Sequence, residues 1–185
     1  MNTKKSIVLF LSIALSAACG LVDQTADANK LVIEANGLIV EDNQQLLAAD
    51  QKLQQLLGSG LGTAKNIDAY KSAHKTELDE LAAQFARLES NETQIAEKFR
   101  QAAQFKLNEK YKQYLELKTQ EFSKEAESSK LVNPLIKSFM EAPDKTSIIN
   151  VLNEYDTKSE AIRKEVADLQ SQSEQLAKDN PSLIK

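Results

Sequence analysis

The sequence predicts an all-α protein, an elongated antiparallel helical bundle. Good helix formers (Ala, Leu, Lys, Glu and Gln) dominate, with only 5 Gly and 3 Pro among 185 residues. Apolar residues recur at alternating spacings of four and three, the pattern of coiled-coil seams. A chain with 42% hydrophobic and 27% charged residues is too apolar to be disordered, and its length suits one domain.

The first long helical unit is predicted from residue 25 to 57. Its two seam positions recur every seven residues and are occupied by Val32, Ile39, Leu46, Leu53, Ala35, Asp42, Ala49 and Leu56. Asp42 is the polar interruption, either a partner-specifying residue or an edge position that reaches water, and we favour the edge. The glycine-rich run from Gly58 to Gly62 predicts the turn of a helical hairpin.

The second unit is predicted from about residue 63 to 130, as one rod or as two helices. Its apolar stripe is interrupted by Lys71, His74 and Glu92. The polar stretch 90–93 is a candidate for a new helix cap. Past Ala102 the stripe changes phase, which indicates that the later half faces a different partner helix.

Pro134 fits the first turn of a short apolar helix, predicted over residues 133–141, which is expected to plug one end of the bundle. The last unit is predicted from 146 to 178, with Asp144 or Thr146 as its N-cap. Short connections make neighbouring helices antiparallel. The bundle is therefore expected to span residues 25–181, with three long helical units plus a short one and coiled-coil-like seams.

Residues 1–18 have the pattern of a secretory signal peptide. Lys4 and Lys5 form a positive segment, an apolar run follows from residue 7 to 15, and small residues precede Cys19. The apolar run is too short for a bilayer-spanning helix, which needs about 20 residues.

The segment Leu15-Ser16-Ala17-Ala18-Cys19 resembles the bacterial lipobox, and Ala17, Ala18 and Cys19 match that pattern. The resemblance implies cleavage between Ala18 and Cys19 and attachment of fatty acyl chains, such as palmitate, to the Cys19 thiol. Lipoboxes usually have Leu three residues before the Cys, where this chain has Ser16. Ser16 and Ala18 also fit an ordinary small-x-small cleavage site, which would leave no lipid.

Cys19 is the sole cysteine of the chain, and a lone thiol in an exported protein is a liability unless it is modified. The sequence therefore favours a lipid anchor at Cys19, followed by a short tether over residues 19–24. In lipoproteins of enteric-type bacteria, Asp after the cysteine marks retention in the inner membrane. Gly20 stands there, so the same resemblance implies the outer membrane if the organism is Gram-negative.

Enzymatic and nucleic-acid-binding functions are not predicted. The one histidine, His74, forms a His-x-x-Glu pair with Glu77 but cannot supply a di-metal bundle site. The run Gly58–Gly62 lacks the Lys-Ser/Thr ending of a phosphate loop. The net charge is −4, without a cluster of basic residues. We expect no catalytic residue, metal or cofactor, and no small-molecule substrate is evident.

The tyrosines are expected at the rim of the core rather than on a binding surface: Tyr70, Tyr111, Tyr114 and Tyr155. Residues 182–185 are expected to form a C-terminal tail. Its Lys185 resembles the terminal lysine that joins the major enteric outer-membrane lipoprotein to peptidoglycan, although only that residue matches.

The leading functional hypothesis is a non-catalytic envelope lipoprotein, anchored to the membrane through Cys19, that acts as a helical spacer or docks an envelope protein. One alternative is a periplasmic chaperone or cargo binder. Another is a helical surface antigen or membrane-active factor, for which the sole apolar candidate, residues 131–140, is too short to span a bilayer.

Overall fold

A computed structural model describes residues 24–181 and confirms the all-α bundle. The elements are α1 Thr25–Gln54, a π-helical segment Gln55–Gly60, α2 Leu61–Thr63, α3 Ile67–Ala102, α4 Glu109–Lys130, α5 Val132–Glu141 and α6 Lys145–Asp179. The predictions for the signal peptide, Ala18, Cys19, Gly20 and the tail with Lys185 fall outside the described residues.

Three of the long helices begin at a side-chain cap. The side chains of Asn66, Asn108 and Asp144 accept hydrogen bonds from the backbone N–H three residues later, at 2.8–2.9 Å. These bonds satisfy N–H groups that have no partner within the helix. Of the two caps considered for the last helix, Asp144 is therefore correct.

The middle unit consists of two helices, α3 and α4, and the break lies at residues 103–108. The polar stretch 90–93, considered as a cap, is inside α3. The phase shift of the apolar stripe past Ala102 indicated the position of the break better than the polar stretch did, because α3 and α4 pack on different neighbours. The bundle thus has four long helices and one short helix.

The glycine-rich run is not the hairpin turn that the sequence predicts. Gly58 and Gly60 lie in the π-helical segment, and Gly62 lies in α2, so the helical path continues through them. The chain reverses at residues 64–66 instead. The lack of a side chain at Gly60 lets the Tyr70 hydroxyl pack closely against the backbone. A Cβ at residue 60 would lie 2.5 Å from the Tyr70 hydroxyl oxygen and 2.7 Å from the Gln55 carbonyl oxygen.

The four long helices run antiparallel in chain order. Helix α3 packs against α1 and α4, and α4 packs against α6, whereas α1 and α6 make few close backbone contacts. The fourth side of the bundle, between α1 and α6, is therefore the most open.

Two separate apolar cores fill the bundle. The upper core joins the end of α1, the start of α3, α5 and the start of α6, and includes Leu53, Leu78, Phe85, Leu88, Phe139 and Ile148. The lower core joins the start of α1, the end of α3 and the start of α4, and includes Val32, Ile95, Phe99, Tyr111, Leu115 and Phe122.

Helix α5 closes the upper end, as predicted, with Leu135, Ile136 and Phe139 buried. The buried Lys71 explains one interruption of the α3 stripe. Its ammonium group donates to the carbonyl oxygens of Met140 and Ala142 and lies 5.5 Å from the centre of the Phe139 ring. A cation at the C-terminal end of α5 is favoured by the helix dipole and by the orphan carbonyls there.

We predict opposite effects for alanine at two neighbouring glycines. Gly58→Ala should stabilise the protein by about 0.5–1 kcal/mol, because the added Cβ meets nothing within 4 Å and the unfolded chain loses freedom. Gly60→Ala should destabilise it by about 1–3 kcal/mol, because the Cβ overlaps a backbone oxygen. Urea unfolding followed by circular dichroism measures both. Equal effects at the two positions would contradict the tight packing at Gly60.

Candidate functional site

A layer of polar side chains separates the two apolar cores. Asp42 of α1, Glu92 of α3, Ser129 of α4 and Ser159 of α6 are each no more than 3% exposed. Asp42 lies between seam residues of the two cores, and Glu92 lies between Leu88 and Ile95 on the buried face of α3. Helices α1, α3 and α4 therefore meet at this level through polar groups, since Asp42 and Ser129 both affect the pKa of Glu92.

Glu92 is the most unusual member of the layer. It is 1% exposed, and neither of its carboxylate oxygens has a hydrogen-bond partner within the protein. Glu121 of α4 is almost as deeply buried, but it accepts a hydrogen bond of 2.6 Å from the Lys118 ammonium. Because a buried charge without a partner is costly, Glu92 needs either a proton or a cation.

The pKa values of the interior carboxyl groups are raised. Burial raises the pKa of Glu92 to about 9, and the nearby Asp42 and Glu125 add to this rise while Ser129 opposes it. Burial also raises the pKa of Glu125 to about 8 and that of Asp42 to about 6. Glu92 is consequently a neutral carboxylic acid at pH 7.

A cavity of about 230 Å³ adjoins two of these carboxyl groups, those of Glu92 and Glu125. All four long helices contribute to its wall, which contains the acidic residues Asp50, Glu92 and Glu125. Its apolar wall is formed by Leu46, Phe85, Tyr155, Ile162 and Val166. The cavity lies beside the open side of the bundle, where Arg163 and Ala167 of α6 are exposed.

The favoured interpretation of Asp42 as a water-facing edge position is wrong. Its side chain is 3% exposed, and its Oδ1 atom has no hydrogen-bond partner. Asn91 of α3 interacts with it and opposes the rise of its pKa, which burial causes. The seam spacing alone, which places Asp42 between Ala35 and Ala49, already indicated an inward position.

His74 lies in a half-buried surface cluster. Its Nδ1 atom is 2.5 Å from Glu77 Oε2, and the Lys52 ammonium donates to the other Glu77 oxygen at 2.6 Å. These hydrogen bonds, Lys52 first, lower the pKa of Glu77. The cluster ties α1 to α3, which is a structural role.

The tyrosines lie in or beside the cores. The Tyr70 hydroxyl donates to the Leu56 carbonyl oxygen at 2.8 Å, and the buried Tyr111 hydroxyl donates to Asn29 Oδ1 of α1. Tyr114 and Tyr155 are half-buried. Within residues 24–181, no group of His, Cys, Asp and Glu has an arrangement suited to a metal ion, and no helix has the length and apolarity to cross a bilayer.

The sequence contains two indications of this site, both of them acidic residues at positions of otherwise apolar stripes. Glu92 interrupts the α3 stripe at a position that should be buried, and Asp42 does the same on α1. Their proximity follows only from the alignment of α1 with α3, which spacing within one helix cannot give. Glu125 lies off the stripe of α4, and no sequence feature marks it.

Comparisons of the chain with protein-family models, with curated proteins and with solved structures find no match.

We predict that Glu92→Gln flattens the dependence of stability on pH. The raised pKa means that the folded state holds a proton that the unfolded state releases above about pH 4.5, so stability falls as the pH rises towards 9. The amide carries no charge and loses this dependence. Relative to the native chain, the variant should gain about 2–4 kcal/mol between pH 5 and 9, or about 5–10 °C in Tm.

Thermal unfolding at several pH values measures this gain, with Glu80→Gln as the control because Glu80 is an exposed carboxylate on the same helix. The control should keep the native pH dependence. Parallel curves for the native chain and Glu92→Gln would show that Glu92 does not hold a proton in the folded state.

Proposed function

We propose that this protein is a non-catalytic, lipid-anchored envelope protein whose bundle serves as a spacer or as a docking module for an envelope protein. The observation that carries the proposal is how soon the fold begins after Cys19. The Gln24 backbone N–H donates to the Lys106 carbonyl oxygen at 3.2 Å, and the Gln24 side chain accepts from the Lys106 N–H at 3.0 Å. The chain is therefore tied to the bundle from residue 24 onward.

The short tether would hold one end of the bundle near the bilayer. Five residues span at most about 18 Å, so Gln24 cannot lie farther than this from an anchored Cys19. The connection 103–108 and the end of α6 lie at the same end, because Leu176 packs on the lower core. Helix α5 and the upper core then form the end remote from the membrane.

The dimensions of the bundle suit a spacer. Helices α3 and α6 contain 36 and 35 residues, so each is about 50 Å long. Each packs against neighbouring helices at both ends of the bundle, and packed cores resist deformation. Ion pairs also join the helices, such as Lys124 of α4 with Glu165 of α6 at 2.8 Å, although exposed pairs contribute little energy.

The lipobox-like segment and Gly20 support the proposed compartment, which is the outer membrane if the organism is Gram-negative. Two or three acyl chains on one cysteine anchor a protein far more firmly than a single chain does. The partner would be an envelope protein within reach of the bundle.

We predict that Cys19→Ser releases the protein from membranes. Without the thiol there is no atom to accept the lipid, so the protein should move from the detergent-extracted membrane fraction to the soluble fraction. Intact mass should show a native product that begins at Cys19 and carries acyl chains. Continued membrane association of Cys19→Ser, with no acyl mass on the native chain, would contradict the anchor.

Ser16→Leu is the matched control, because the two processing routes respond to it differently. The change completes the usual lipobox pattern, so lipidation and cleavage should continue. Ordinary small-x-small processing requires a small residue at this position, so it should be blocked. An uncleaved and unacylated Ser16→Leu product would favour ordinary secretion over lipidation.

The docking role is tested separately by crosslinking of the native chain in whole cells. A defined envelope protein should be captured by the native chain and lost or reduced with Cys19→Ser, which removes the bundle from the membrane. Capture of unfolded proteins without a defined partner would instead favour the chaperone alternative.

A further inference from the structure

We propose that the interior cavity is a binding site for a small organic ammonium ion, with the ammonium group held by Glu92 and Glu125 and the hydrocarbon part against Phe85, Ile162 and Val166. This inference goes beyond the proposed anchor and spacer, and it does not depend on the lipid.

The geometry provides both halves of such a site. Glu92 is 1% exposed, borders the cavity, and has two carboxylate oxygens without hydrogen-bond partners. The apolar part of the lining comes from Leu46 of α1, Phe85 of α3, and Ile162 and Val166 of α6. A volume of about 230 Å³ has room for a short alkyl chain with its ammonium group, since one water in the liquid takes about 30 Å³.

An ammonium ion is expected to bind here because a buried carboxylate is stable only with a positively charged partner. At pH 7 a proton meets that need for Glu92, since burial has raised its pKa. An ammonium ion can replace the proton and restore a charge-assisted hydrogen bond. Binding must then release a proton to the solvent, and this release is a signature that purely apolar binding lacks.

The charges in and around the cavity favour a cation over an anion. Asp50 of α1 and Glu125 of α4 line the cavity. Asp42 and Glu121 lie close enough to raise the pKa of the lining glutamates. Two cations oppose these charges. Lys118 is paired with Glu121. Burial raises the pKa of Asp50, and Arg163 of α6 opposes that rise. Tyr155, whose pKa burial raises, adds a neutral hydroxyl.

Ligand entry is expected between α1 and α6, the side of the bundle with few close backbone contacts. The exposed Arg163 and Ala167 lie at this side and border the cavity. A ligand can therefore reach Glu92 without separation of α3 from α1 or α4.

The test is isothermal titration of the purified full chain at pH 7.5 with four probes: n-butylammonium, n-butanol, butyrate and Ca²⁺. Butylammonium should bind saturably, and titrations in two buffers of different ionisation enthalpy should show release of about one proton per ligand. Butanol should bind at least about tenfold more weakly, which is about 1.4 kcal/mol, and butyrate should not bind.

Glu92→Gln should weaken butylammonium binding at least about tenfold and reduce the proton release, since Glu125 is then the remaining carboxyl group that can give up a proton, and it should leave butanol binding unchanged. Glu80→Gln, on an exposed part of α3, should bind as the native chain does. If Glu92→Gln fails to fold, as judged by circular dichroism, native-chain titrations from pH 6 to 10 replace it. Proton release should fall to about half near pH 9, the pKa of Glu92, and should decrease further towards pH 10.

Four results would overturn the proposal. The first is equal affinity for butanol and butylammonium, and the second is butylammonium binding without proton release at pH 7.5. The third is Ca²⁺ binding at the cavity that excludes the amine. The fourth is no saturable binding of any probe, which would mean that the cavity holds only water.

Discussion

The burial of an unpaired carboxyl group at the centre of the bundle is the constraint around which the rest of the structure is arranged. Glu92 occupies a core position on α3 without a hydrogen-bond partner in the protein. Buried polar residues on α1, α3 and α4 interrupt the apolar packing near Glu92, and the interior forms two cores rather than one. The helices stay together because each core is closed independently, with α5 completing the upper one.

The same polar layer accounts for the open side of the bundle. Apolar packing draws α3 against α1 and α4, whereas Asp50, Glu92 and Glu125 border a cavity instead of a close contact with α6. Natural cores seldom keep unpartnered ionisable groups, since replacement by apolar residues usually stabilises a protein. An acidic layer beside a cavity is therefore more consistent with a binding role than with stability alone, which is the basis of the proposed ammonium site.

Much of the architecture could be predicted from the chain because heptad spacing reports directly on which helix face is buried. The seams of α1 and α6, the short α5 and the Asp144 cap all follow from local patterns. The turn after α1 could not be placed, because glycines usually end helices and the packing of Tyr70 on Gly60 is a tertiary contact. The polar layer around Glu92 could not be predicted either. Its residues come together only because of how far α1, α3 and α4 are shifted along one another, and the pattern within a single helix does not contain this information.

Direct titration of the Glu92 side chain tests the central claim, that a carboxyl group in the middle of the bundle is kept neutral at physiological pH. Carboxyl carbon NMR of the native chain, with Glu92→Gln used to assign the resonance, resolves this group from the exposed glutamates. We expect a midpoint near pH 9 for Glu92. A midpoint near pH 4.5, the ordinary value for a solvated glutamate, would show that Glu92 is not held neutral in the interior of the bundle.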